Sequence, residues 1–85
     1  MKYTIEIQPA AQRQFAALDR AAQARVDSKI VALAENPRPP GAVKLAGASD
    51  TWRVRVGDWR ILYSIRDREL VVLVIRIGHR REVYR

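Results

Sequence analysis

Arg53, Arg55 and Arg60 are spaced for one kind of chemistry, the gripping of an anion from the face of a β-sheet. They lie in residues 51–63, TWRVRVGDWRILY, where each alternates with apolar or aromatic neighbours. Gly57-Asp58, flanked by Val56 and Trp59, is a two-residue connection of the type that closes a tight hairpin. That turn sets a register: Arg55 opposite Arg60, Val54 opposite Ile61, Arg53 opposite Leu62 and Trp52 opposite Tyr63. Period 2 then puts Trp52, Val54, Val56, Trp59, Ile61 and Tyr63 on one face and the three arginines on the other. Two like charges directly opposite each other destabilise a sheet, so the pair makes most sense with an anion between them. Guanidinium suits that task, because its planar fork matches phosphate and it stays charged in any plausible environment. A second cluster, His79, Arg80, Arg81 and Tyr84, follows Gly78 at the end of the last strand. It adds cations, a side chain that titrates near neutrality and a phenol able to stack on a base or handle a proton.

The charge of the chain is concentrated where these residues lie. The net charge is +7 over 85 residues; residues 1–51 carry +2 and residues 52–85 carry +5, and every basic residue of the second segment is arginine. That bias points to nucleic acid or an acidic protein as partner. With 48% hydrophobic and 29% charged residues, the composition is that of a folded chain and not a disordered one. The absence of cysteine excludes a disulfide framework and a zinc–thiolate site, and a lone histidine builds no metal site without carboxylate help. No cofactor motif is present. The N-terminus has no apolar signal core, and the longest apolar run, Leu70–Ile75, is far too short to span a bilayer. A single domain over residues 1–85 in the cytoplasm, with no membrane partner, is expected.

The elements that must position the arginines follow from periodicity. Residues 2–8 alternate as a half-buried strand, with Tyr3, Ile5 and Ile7 on one face. Pro9 ends it and suits the first turn of a helix carrying Ala11, Phe15 and Leu18. Asp19 is an N-cap for a second helical stretch with the stripe Ala22, Val26, Ile30 and Leu33. The two form a helical hairpin or one helix kinked near Asp19, and Asn36-Pro37 stops it. The NPRPPG loop follows, with Arg38 a solvated charge, then a short strand at 43–45, a turn at 47–50, the hairpin and a last strand, 69–77. The order gives an α+β fold of two layers: N-terminal strand, helical hairpin, then a mostly antiparallel sheet of three to four strands. The last strand is apolar on both faces, which marks a central strand. Leu70, Val72 and Val74 would face the helices, while Val71, Leu73 and Ile75 would form an apolar groove beside the arginines or a seat for a partner. Arg66, Arg68 and Arg76 read as solvated or paired with Asp67 and Glu69, and Trp52, Trp59 and Tyr63 as core.

The strand, the helical hairpin ending in Asn-Pro, WRVRVGDWRILYSI and the closing IGHRREVYR together resemble the RelE family of the RelE/ParE toxin superfamily over essentially the whole chain. VGDWRILY and GHRREVYR are the most specific pieces. The resemblance implies a RelE-like fold and a toxin from a toxin–antitoxin pair that enters the 30S ribosomal A site and cuts messenger RNA there. It also implies a RelB-like antitoxin, encoded by the adjacent gene, that neutralises the toxin. The family's basic pair on the first long strand falls on Arg53 and Arg55, its next-strand arginine on Arg60, its arginine after the closing glycine on Arg80 and its near-terminal tyrosine on Tyr84. Well-studied members carry lysine at the positions of Arg53 and Arg55. Arginine holds a phosphate but does not give up a proton near neutral pH, so any proton transfer done there by lysine must be done otherwise here.

The implied reaction needs no metal: the RNA 2′-OH attacks the adjacent phosphorus. Arg53, Arg55 and Arg60 would clamp the charge that develops, Tyr84 would act as base, Arg80 would hold the phosphate or leaving oxygen, and His79 and Arg81 would contact phosphate. Tyr84 could instead stack on a base, and His79 could be an ordinary loop histidine. Two other readings share the fold: a ParE-like poison of DNA gyrase, and an inactive homologue that only binds an antitoxin.

Overall fold

The computed structural model describes residues 2–47 and 50–79. Two helices lie on one face of a mixed sheet. β1 (Thr4–Ile7), α1 (Pro9–Ala16), α2 (Arg20–Glu35), β2 (Val43–Lys44), β3 (Thr51–Val56), β4 (Trp59–Arg66) and β5 (Val71–His79) follow one another along the chain. Among the described residues the strand order is β1-β5-β4-β3-β2. β1 runs parallel to β5 and every other neighbouring pair is antiparallel. The apolar last strand is therefore central, as its double-sided hydrophobicity requires.

Local chemistry accounts for the helices. Pro9 occupies the first turn of α1, where a missing N–H costs nothing. Asp19 caps α2, its side chain accepting the Ala22 N–H at 2.8 Å, so the kinked-helix alternative gives way to two separate helices. Gln23 Nε2 donates to the Phe15 carbonyl at 3.1 Å across the joint. Ala11, Val26, Ile30 and Leu33 pack on Val54, Val56, Ile61, Tyr63, Ile65, Val72, Val74 and Ile77, with Trp52 and Trp59 partly buried against them. Among the described residues no helix is long and apolar enough to cross a membrane.

The hairpin register is as the sequence dictates: Arg55 pairs with Arg60, Val54 with Ile61, Arg53 with Leu62 and Trp52 with Tyr63. Gly57, at φ +59, is the first central residue of the turn, where glycine relieves the steric cost of a positive φ.

The last strand corrects the sequence reading twice. It spans Val71–His79 and not residues 69–77, because Leu70, at φ 55, sits in the turn between β4 and β5 and does not face the helices. A bulge between Leu62 and Tyr63 then shifts parity: Tyr63 pairs with Val74, yet Leu62 pairs with Arg76. The shift has a clear reason. Unbroken alternation after Val72 and Val74 would drive Arg76 into the core; the extra residue sends Ile77 inward instead, where it is 2% exposed.

Tyr63 is fully buried, and its hydroxyl donates to the Pro37 carbonyl at 2.7 Å. Burial pushes this phenol up to about 12, against roughly 10 in an unfolded chain. Its neutral form therefore contributes fully below about pH 10, and that contribution is lost as pH rises through about 12. Tyr63→Phe, which leaves a buried carbonyl without its donor, should cost about 1–3 kcal/mol in urea denaturation at neutral pH. The same variant should lose less of its stability than the native chain when the pH is raised from about 10 to 12.

Candidate functional site

The face of the sheet away from the helices carries the arginines in rows. Arg55, Arg60 and Gly78 are successive partners across β3, β4 and β5; Val43, Arg53, Leu62 and Arg76 form the next row across β2 to β5. Gly78 presents no side chain beside Arg60, so the β5 end of the first row is backbone alone. Arg53, Arg55 and Arg60 line a cleft of about 150 Å³ together with Gly41 of the proline-rich loop. Arg60 is half-buried and its Nε is shielded from solvent. A guanidinium partly removed from water attracts an anion more strongly than an exposed one. What this geometry can do is bind and polarise a phosphate-sized group.

The other expected site residues fall elsewhere. His79 pairs with Trp59 across β4 and β5 and meets its ring edge-on, with centroids 5.7 Å apart. Trp59 packs toward the helices, so His79 shares a row with the core face, and the structure does not bring it together with the arginines. Beside Trp59 a hollow of about 290 Å³ opens between α1 and the end of β5, with Gln14, Leu18 and Ile77 in its wall. Gln14 Oε1 accepts the Ile77 N–H there at 2.7 Å, which takes up a backbone donor on β5 past the end of its pairing with β1. Arg80, Arg81 and Tyr84 lie outside the described residues.

Two features were missed by reading the sequence. Arg76 joins the row of Arg53 because of the bulge, and only the broken spacing Val72, Val74, Ile77 hinted at it. Arg38, although exposed, is more than a solvated charge. Its guanidinium donates through Nη1 and Nη2 to both carboxylate oxygens of Asp67, at 3.2 and 2.9 Å, and lies 5.4 Å from the Trp52 ring centroid. Tyr3 donates its hydroxyl to the same carboxylate at 2.7 Å. Asp67 thus pairs with Arg38, 29 residues away, and not with the arginines beside it in sequence.

Residues 5–84 match the family profile of the ParE toxin of type II toxin–antitoxin systems, parDE. The mRNA interferase toxin RelE of Escherichia coli is 30% identical over 88 residues, covering 99% of this chain and 92% of that relative. An archaeal RelE–RelB complex from Pyrococcus horikoshii contains a chain that superposes with a TM-score of 0.84 at 25% identity, covering 98% of this chain and 100% of that one. The RelBE2 toxin–antitoxin complex of Mycobacterium tuberculosis gives 0.83 at 26%, covering 93% and 99%. Fold and matches define the class, the toxins of type II toxin–antitoxin systems that make up the RelE/ParE superfamily. Within that superfamily the chain belongs to the RelE family.

The Arg38 guanidinium, and after it the Tyr3 hydroxyl, hold the Asp67 carboxyl below its ordinary value. Arg38→Ala should raise the titration midpoint of Asp67, followed by its side-chain carbon resonance, with Tyr3 supplying the remaining depression.

Proposed function

We propose that this chain is a ribosome-dependent endoribonuclease that cuts messenger RNA in the A site. The arginine cleft carries the reading: Arg53, Arg55 and Arg60 converge on one phosphate-sized space on the sheet face away from the helices. The support from outside the chain is its similarity to a toxin described as an mRNA interferase.

In this reading the RNA 2′-hydroxyl attacks the adjacent phosphorus and the bond from phosphorus to the 5′ oxygen breaks. The products are a 2′,3′-cyclic phosphate and a 5′-hydroxyl. Arg55 and Arg60 neutralise the charge on the non-bridging oxygens as the phosphorane forms, and Arg53 holds the neighbouring backbone. The strands fix the positions from which the three side chains reach the cleft. The 2′-hydroxyl proton passes to Tyr84, which acts as the base in its phenolate form. Arg80 holds the phosphate or the leaving oxygen, and Arg81 the adjoining backbone. The 5′ oxygen takes its proton from solvent in this reading, because His79 shares the row of Trp59 on the helix side of the sheet. The partners of the toxin are messenger RNA, the 30S A site and a RelB-like antitoxin. The RelE–RelB complexes that this fold resembles supply the antitoxin proposal.

The ParE profile match favours a second reading, a gyrase poison that leaves RNA intact. Primer extension on a defined messenger with programmed 70S ribosomes separates the two. The proposal expects cuts confined to the A-site codon and absent without ribosomes. Arg60→Ala should lower cleavage by about a hundredfold or more and still bind the antitoxin. Tyr84→Phe should slow cleavage far more than it weakens ribosome binding. Growth arrest with intact messenger and inhibited supercoiling would establish the gyrase reading instead.

A further inference from the structure

The cleft has one wall that is not sheet. Gly41 belongs to Asn36–Gly41, NPRPPG, which leaves the C-terminus of α2 and leads into β2. Each end of this loop is tied to something specific. At its start the Pro37 carbonyl takes the Tyr63 hydroxyl, Arg38 holds Asp67 with two hydrogen bonds and Asn36 Oδ1 accepts the Arg38 N–H at 3.1 Å. At its end Ala42 N–H donates to the Pro39 carbonyl at 3.0 Å, and Gly41, at φ +90, turns the chain onto the arginine face.

Between those ends the loop is stiff. Pro37, Pro39 and Pro40 each have a fixed φ, and each proline restricts the residue before it. A displacement at Arg38 is therefore passed on toward Gly41, with few soft dihedrals to absorb it. Arg38 is also held on two sides by elements of the sheet. Trp52, whose ring it overlies, is the residue before Arg53 and the cross-strand partner of Tyr63. Asp67 follows β4 and is held in turn by Tyr3 just ahead of β1. The side chains of Arg38 and Asp67 remain 43% and 55% exposed, so the pair adds little to overall stability. Its defined, bidentate geometry is better suited to orientation.

We infer that Arg38 is a positioning residue for the arginine cleft: clamped to Asp67 and stacked on Trp52, it sets the proline-rich loop so that Gly41 forms the wall against which an RNA phosphate is held by Arg53, Arg55 and Arg60. This rests on the phosphate-binding reading of the cleft and goes beyond it, since Arg38 acts from outside the cleft, through the loop. The alternative is that Arg38 is one more cation in a basic field.

The two accounts predict opposite signs for Asp67→Asn. Removing that carboxylate makes the protein more positive, so a field effect would tighten RNA binding. A positioning role weakens it, because the clamp is lost while the Arg38 charge stays. The probe is a 2′-O-methyl RNA trinucleotide, which binds but cannot be cut, measured by fluorescence anisotropy on the full chain. Asp67→Asn and Arg38→Lys, which keeps the charge but not the fork, are each expected to lose roughly tenfold in affinity. Both should shift the Gly41 amide resonance with no oligonucleotide present. Unchanged or tighter binding by Asp67→Asn, with the Gly41 resonance unmoved, would overturn the inference. Native chain that binds the trinucleotide but leaves messenger uncut on ribosomes would count against the nuclease reading alone. If the native chain failed to bind the trinucleotide, the phosphate-holding inference would fall, whatever the Gly41 resonance did.

Discussion

Arg55 and Arg60 face each other across the central hairpin, an arrangement that electrostatics alone would reject. What imposes it is the alternation of Val54, Val56, Trp59 and Ile61 on the other side of the same strands. Slipping β3 by one residue would relieve the arginines and turn the core side chains of that strand, Val54 and Val56, into water. At roughly 1.5–3 kcal/mol for each large apolar side chain fully buried, that loss exceeds the fraction of a kcal/mol a cross-strand charge pair commands. The core therefore dictates the electrostatics of the opposite face. Most other features of the site depend on this one asymmetry.

The bulge in β5 serves the same division of labour. A strict period of two would carry Arg76 inward after Val74; one extra residue sends Ile77 to the core and Arg76 to the row of Arg53. Gly78 then falls beside Arg60, so the cationic surface meets bare backbone at the end of its first row. β5 is central in the sheet, between β1 and β4, and its helix-side residues Val72, Val74 and Ile77 are buried in the core. On the face away from the helices β5 still shows half-buried apolar residues such as Leu73, which lies between Glu6 and Ser64.

The proline-rich loop completes the site from the helical side. Trp52 and Tyr63 are cross-strand partners on the core face, yet each also touches this loop, one through the Arg38 guanidinium and the other through the Pro37 carbonyl. The residues that build the core at the middle of the sheet thus also locate a segment bordering the opposite face. Loop and sheet are coupled without a large interface, through a few directional contacts to a backbone stiffened by prolines.

Sequence alone determined the two periodicities and their boundaries: Pro9 opening one helix, Asp19 capping the next, Asn36-Pro37 closing it, and the Gly57-Asp58 turn that registers the hairpin. These are local decisions, made by steric and hydrogen-bonding preferences within a few residues. Because parity follows from the turn, the Arg53, Arg55 and Arg60 face was legible as well. Only the tertiary structure decided what depends on neighbours distant in the chain. Leu70 left the strand for a turn, and the β5 bulge arose because a charged residue stood where the core needed an aliphatic one. Asp67 chose Arg38, 29 residues away, over the adjacent arginines. His79 was separated from the arginines by the pairing of Trp59 with the end of β5. Apart from the broken spacing of Val72, Val74 and Ile77, which hints at the bulge, none of these choices is written in local spacing, because each depends on partners that only the packed layers bring together.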